Sequence, residues 1–229
     1  MNSTVIPTSI AATTCDPATR VTKSLLGYGA LAGPFYITVG LAQALTRPGF
    51  DLTRHSWSLL ANGSLGWIQV ANFVLTGLMV VAGAVGLRRA LLTGTGATWA
   101  PRLVGAYGVC LIAAGALRAD PALGFPVGTP AGVGTITWHG MGHFVVGGVG
   151  FLCVIAGCFV MARRFAGMGR RGWAAYCRIS GIVFLAAFVG IASGSSAPAL
   201  TLGFVAGVMV IFAWLTAVSV ATYRMTAAR

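Results

Sequence analysis

Apolar residues run in long unbroken stretches along this chain, and short polar segments separate them. Six stretches are long enough to be read as helices: Ser24 to Leu45, Gly66 to Leu87, Leu103 to Ala119, Trp138 to Ala162, Trp173 to Ser193 and Leu200 to Tyr223. Most approach the ~20 residues that an α-helix needs to cross a hydrocarbon core. The third is short and is accommodated by its flanks, by a smaller tilt or by a thinner bilayer. The pattern therefore predicts an all-α protein, a polytopic six-helix transmembrane bundle forming one domain over residues 23–229. Residues 1–22 are rich in Ser, Thr and Ala and lack the continuous apolar core of a cleaved signal peptide. They are expected to form a flexible cytoplasmic tail.

The positive charges orient the bundle. Of the 15 Lys and Arg residues, only Arg47, Arg54 and Arg118 fall in the odd-numbered connections. The other twelve flank the opposite ends of the spans, which puts both termini in the cytoplasm by the positive-inside rule. Arg178, about one turn inside the fifth span, can snorkel to the interface. Trp99 and Trp173 then fall at the inner boundary, and Trp57, Trp67 and Trp138 at the outer one, as interfacial ring anchors do.

Composition agrees with lipid as the solvent. The chain is 57% hydrophobic and 8% charged, against roughly 25% charged residues in a soluble domain. A net charge of +12 would suit nucleic acid, but the arginines cluster at span ends rather than on one surface, so lipid headgroups are the expected partner and nucleic acid is not. A plasma-membrane location is expected. Cys110, Cys153 and Cys158 lie within apolar runs, Cys177 near a span end and Cys15 in the tail; no CxxC occurs. They are read as packing residues, with no disulfide. The segments GALAG (Gly29 to Gly33) and GFVAG (Gly203 to Gly207) carry the small-residue spacing that lets helices approach closely. Trp214, inside the sixth span, is either lipid-facing or packed bulk.

With this topology the polar chemistry collects on the outer side. His55, His139 and His143 all fall there, with Asp51 and Asp120. In DLTRHSWSLLANG, Asp51 and His55 are four apart, and the segment has the amphipathic look of a short helix lying on the membrane. The second outer connection, LRADPALGFPVGTP, has three prolines that suggest a stiff, extended return. RPGFD after the first span and RADPALGF after the third form a faint echo of each other, too short to make a repeat. WHGMGH then places His139 and His143 one turn apart, a spacing that can hold a divalent metal with Asp51, His55 or Asp120 completing the shell; the alternative is two interfacial histidines bonded to loop carbonyls. The glutamate of the zinc-hydrolase helix motif is missing.

Asp51, His55 and Asp120 are the candidate catalytic groups, since a carboxyl in a partly desolvated pocket becomes a general acid or base near neutrality. The alternative for the two acids is ion pairing with Arg47, Arg54 or Arg118. Arg47, Arg54, Trp67, Gln69 and Arg118 are the candidate substrate-binding side chains. Asn62, Gln69 and Asn72 could line a polar cavity or act as interhelical hydrogen-bond partners.

The phrase RPGFDLTRHSWSLLANGSLGWIQVANFVLTGLMVVAGAVGLRRAL, followed by RADPALGFPVGTP and WHGMGHF, resembles the bacterial membrane proteins grouped as domain of unknown function 998. The likeness spans nearly everything after the tail. It implies a six-helix integral membrane protein of a family common in actinobacteria, and it implies no activity. Three functions remain open at this point. One is a membrane-embedded enzyme or binding pocket for a small amphipathic or lipid-like molecule such as an isoprenoid, working by carboxyl protonation or by metal-assisted hydrolysis. The second is a proton- or cation-coupled transporter, which the absence of acids at the span centres disfavours. The third is a non-catalytic accessory protein that docks a partner or lipid.

Overall fold

A computed structural model describes residues 16–132, 134–194 and 197–227. Most of the expected tail, residues 1–15, lies outside them. Six helices follow one another: α1 (Pro17–Thr46), α2 (Gly66–Ala90), α3 (Trp99–Ala116), α4 (Trp138–Gly167), α5 (Arg171–Ala192) and α6 (Pro198–Ala227). All six are long and apolar enough to cross a membrane. Among the described residues there is no strand, only an isolated bridge between Ala122 and Phe125.

Several helices outrun their apolar stretches. Residues 17–22, expected in the tail, form the first turns of α1: the Asp16 carboxylate accepts the Thr19 N–H at 3.2 Å, and Pro17 takes the first helical position, where its missing N–H costs nothing. These polar turns carry no hydropathy signal. The α3 helix instead starts earlier and stops earlier than expected, at Ala116.

Each helix packs on its neighbour in sequence, and α6 returns to α1, so the bundle is a closed ring. Arg89, near the end of α2, donates from Nε to the Thr22 hydroxyl at 3.0 Å and from Nη2 to the Ala18 carbonyl at 3.3 Å, and the Lys23 ammonium sits 5.8 Å from the Tyr223 ring centre. The first turns of α1 thus share one end of the bundle with the last turns of α2 and α6. This is the arginine end; the three histidines mark the other, the histidine end.

Pro34 interrupts α1 and removes the N–H that would bond the Ala30 carbonyl. The Thr216 hydroxyl of α6 donates to that carbonyl at 2.9 Å, which is how a freed backbone group is satisfied away from water. Beside it a Cβ on Gly33 would lie 2.7 Å from the Phe212 carbonyl oxygen, so the seam that closes the ring needs glycine there. Gly29 meets Gly83 of α2 in the same way, and Gly207 lies against Ala187 of α5, whereas Gly203 faces open space.

The arginine half of the ring interior is filled. Trp214, Phe165, Met161, Cys158 and Cys177 have no exposure, and the Trp214 indole N–H donates to the Cys177 sulfur at 3.3 Å. Trp214 is therefore packed inside, not lipid-facing. The four described cysteines are free thiols.

Candidate functional site

The first connection at the histidine end does not form a helix lying on the membrane. Residues 51–56 turn tightly, and only Trp57–Ala61 is helical, as one short 3-10 segment. Trp57, Leu59, Leu60 and Ala61 are buried, so the segment caps the bundle rather than floating on lipid. Arg47 holds it: Nη1 donates to the Leu60 carbonyl at 3.0 Å, Nη2 to the Asn62 carbonyl at 2.6 Å, and the guanidinium lies 5.2 Å from the Phe125 ring centre.

The second connection is compact where an extended path was expected. The Leu123 N–H donates to the Gly132 carbonyl at 2.9 Å and the Gly124 N–H to the Pro130 carbonyl at 3.0 Å, folding the prolines into a tight reversal. The two connections then interlock. His55, 2% exposed, accepts the Asp51 N–H on Nδ1 at 2.9 Å and lies 3.0 Å by Nε2 from the Leu123 carbonyl. A carbonyl cannot donate and a backbone N–H cannot accept, so the Nε2–H tautomer is required. Phe50 and Phe125 pack around the ring at 5.2 and 5.6 Å, and the Asn62 amide donates to the Ala119 carbonyl at 3.0 Å.

Both acids bind threonines. The Asp51 carboxylate is exposed and accepts the Thr53 hydroxyl at 2.7 Å and the Thr53 N–H at 2.8 Å. The hydroxyl first, then the N–H, hold its carboxyl below the ordinary range, which is the opposite of the desolvated general acid the sequence suggested. Asp51 and His55 meet through the backbone, not through the carboxylate. Asp120 accepts the Thr137 hydroxyl at 2.6 Å and the Thr137 N–H at 2.7 Å, and Thr137 accepts the Gly140 N–H in turn. The carboxylate therefore sits at the start of α4, where the helix dipole favours negative charge.

His143 does the reciprocal service for α3. Its Nδ1 lies 3.0 Å from the Ala114 carbonyl and 2.8 Å from the Leu117 carbonyl. Both are acceptors, so Nδ1 carries the proton and satisfies carbonyls that the end of α3 leaves unpaired. A residue just past α3 caps α4, and a residue of α4 caps α3.

The expected shared site is thus divided. His139 is exposed and stacks on Trp138 at 3.5 Å, while His143 turns inward. Among the described residues no group of three or more His, Cys, Asp or Glu side chains is placed to hold a metal ion, so the expected shell around the histidine pair is not assembled. Arg54, Arg118 and Trp67 are exposed, Trp67 at 66%. Gln69 is buried between α1 and α2, where its Oε1 accepts from Gln43 at 2.8 Å and from Asn72 at 3.2 Å; Asn72 also donates to the Tyr36 carbonyl. Gln69 and Asn72 are interhelical partners rather than the wall of a polar cavity.

The cavity lies elsewhere. Beneath the 3-10 cap, in the histidine half of the ring, is a space of about 480 Å³ lined by all the helices. Tyr36, Phe73, Tyr107, Phe151, Phe204 and Phe212 are among the aromatic residues of its wall, and Trp57 with Ser56 and Ser58 contributes from the cap. Among the described residues no Arg, Lys, Asp or Glu lines it. Gly147 and Gly148 of α4 keep it open: a Cβ on Gly147 would meet nothing within 4 Å. Of the candidate site residues only His143 reaches it. His143 is among the lining residues, and its Nδ1–H tautomer leaves Nε2 as an acceptor with no hydrogen bond to another described residue. The aromatic lining was missed because aromatic residues within apolar spans read as bulk; their shared face with His143 was the available signal.

No curated protein and no solved structure matches the chain. The family model described as "Protein of unknown function (DUF998)" matches residues 30–221, from within α1 to within α6, and the chain belongs to that family.

Proposed function

We propose that this multi-pass membrane protein resides in the plasma membrane with both termini cytoplasmic, and that it holds a lipid-like amphipathic molecule in the cavity of its extracytoplasmic half. The observation that carries the reading is the combination of about 480 Å³ of space, a largely apolar and aromatic wall, and the His143 imidazole among the lining residues with Nε2 free of hydrogen bonds to other described residues. Ligand sites are of this size and makeup: largely apolar, with few polar groups that fix orientation. Binding is favoured over acid–base turnover because Asp51 and Asp120 are engaged by threonines outside the cavity. Binding is also favoured over transport, because the packed side chains around Trp214 floor the cavity toward the arginine end.

The test is the lipid content of protein purified in mild detergent, measured by native mass spectrometry beside a Gly147→Leu variant. That substitution projects into open space and fills the cavity without meeting a neighbour at Cβ. Near-stoichiometric lipid on the native chain and at least a tenfold loss in the folded variant is the expected result. Equal lipid on both, or none on the native chain, would sink the proposal.

A further inference from the structure

This inference rests on the cavity reading and concerns the chemistry of the bound molecule. We infer that the ligand is an uncharged lipid alcohol whose hydroxyl donates to His143 Nε2.

Polarity at the ring is dictated by the end of α3. Nδ1 faces two carbonyl oxygens at 3.0 and 2.8 Å, so its proton is fixed there. No acidic side chain among the described residues lines the cavity, and a charged imidazole would have no counter-ion in an apolar wall. The neutral ring therefore presents a lone pair at Nε2, and a lone pair recognises a donor. A hydroxyl satisfies it; an ether, ester or ketone oxygen facing it would leave two acceptors opposed.

Charge is excluded by the same lining. With no Arg or Lys among the described residues of the wall, a phosphate headgroup drawn into the cavity would be desolvated without compensation. Arg47 is occupied with the Leu60 and Asn62 carbonyls and does not line the space. Further, Ser56 and Ser58 from the cap lie 3.0 Å apart and hydrogen bond to each other, so the serine hydroxyls that the cap adds to the lining are neutral and already paired. The occupant best matched to this lining has a hydrocarbon body against the phenylalanines and a single neutral donor.

Three probes in detergent micelles separate the possibilities: oleyl alcohol, oleyl methyl ether and oleyl monophosphate, with occupancy read by native mass spectrometry. The alcohol is expected to bind about tenfold tighter than the ether, since one buried hydrogen bond is made in the first case and one acceptor orphaned in the second. The phosphate is expected to bind more weakly than the alcohol. In His143→Asn the amide nitrogen can take the place of Nδ1 at the end of α3 while Nε2 is lost, so the alcohol and the ether should bind alike. His143→Phe, which removes both nitrogens, is not needed for the conclusion, because the alcohol-to-ether ratio on the native chain already decides it. Equal binding of alcohol and ether to the native chain, or tighter binding of the phosphate, overturns the inference and leaves the cavity reading standing. Failure of all three probes to bind would overturn both.

Discussion

His55→Ala separates a structural histidine from a catalytic one. The ring joins the two connections at the histidine end through the Asp51 N–H at 2.9 Å and the Leu123 carbonyl at 3.0 Å. Truncation orphans both backbone groups under a cap where the residue is 2% exposed. A net hydrogen bond contributes about 1 kcal/mol, and a buried group left unpaired costs about 1–3 kcal/mol. Loss of the ring also leaves a void between Phe50 and Phe125, which already pack edge to face at 5.1 Å. Together these give a destabilisation of about 3 kcal/mol.

The measurement is unfolding by SDS titration in mixed micelles, followed by tryptophan fluorescence. His55→Gln is the discriminating companion, since its amide nitrogen can reach the Leu123 carbonyl as Nε2 does while the Asp51 N–H stays unpaired; about half the loss should return. Asp51→Asn is the second companion. Its side chain is exposed and does not touch the imidazole, so a change within about 0.5 kcal/mol is expected. A catalytic His55–Asp51 pair would give the opposite pattern, with folding stability nearly unchanged in all three. If His55→Ala unfolds within about 0.5 kcal/mol of the native chain, the latch is not what the ring is for.

The Asp51–Thr53 turn has a pH signature. The carboxyl is held below its ordinary value, so its contribution to stability is present above the unfolded carboxyl pKa and is lost as pH falls through the lower folded value. Thr53→Val removes the hydroxyl, the largest cause, and should move the Asp51 titration upward as followed by carboxyl carbon chemical shifts; an unchanged titration would contradict the assignment. At the other acid, a Cβ on Gly140 would collide with the Asp120 carboxylate. Gly140→Ala should therefore cost about 1–3 kcal/mol in the same SDS titration, as overpacking does, and a neutral result would mean that the cap on α4 is not rigid.

How much of this was legible follows from what leaves a mark in sequence. The six spans did, because each is set by hydropathy over about 20 residues. Their ends did so less well: the turns of α1 from Pro17 to Thr22 hold Arg20 and read as tail, although the Asp16 cap starts a helix there. The clustering of Asp51, His55, Asp120, His139 and His143 at one end was also legible, but their partners were not. Arg47, His55, Asn62 and His143 bond to backbone atoms of Leu60, Leu123, Ala119 and Ala114, and any residue can supply a backbone carbonyl. Nor does helical spacing decide that His139 and His143 share a ligand. His139 stands in the exposed first turn of α4, stacked on Trp138, whereas His143 is one turn deeper and finds the end of α3.

The cavity was the least legible feature, because it arises from side chains that fail to fill the ring. Gly147 and Gly148 leave space in α4 where a larger residue would close it, and the surrounding phenylalanines look the same in sequence whether they pack or line. One residue nonetheless links the polar cap to the apolar space. His143 binds the end of α3 through Nδ1 and is also part of the cavity lining, so on the proposed reading the tautomer that caps the helix would also set which ligand the cavity accepts. A shift at the α3–α4 junction that released Nδ1 would let the proton move to Nε2 and turn the acceptor into a donor. On that reading, ligand polarity and helix capping would both follow from the placement of one proton. The residues at the histidine end that touch no ligand still bear on recognition, because Asp120, Thr137 and Gly140 fix the start of the helix on which that imidazole stands.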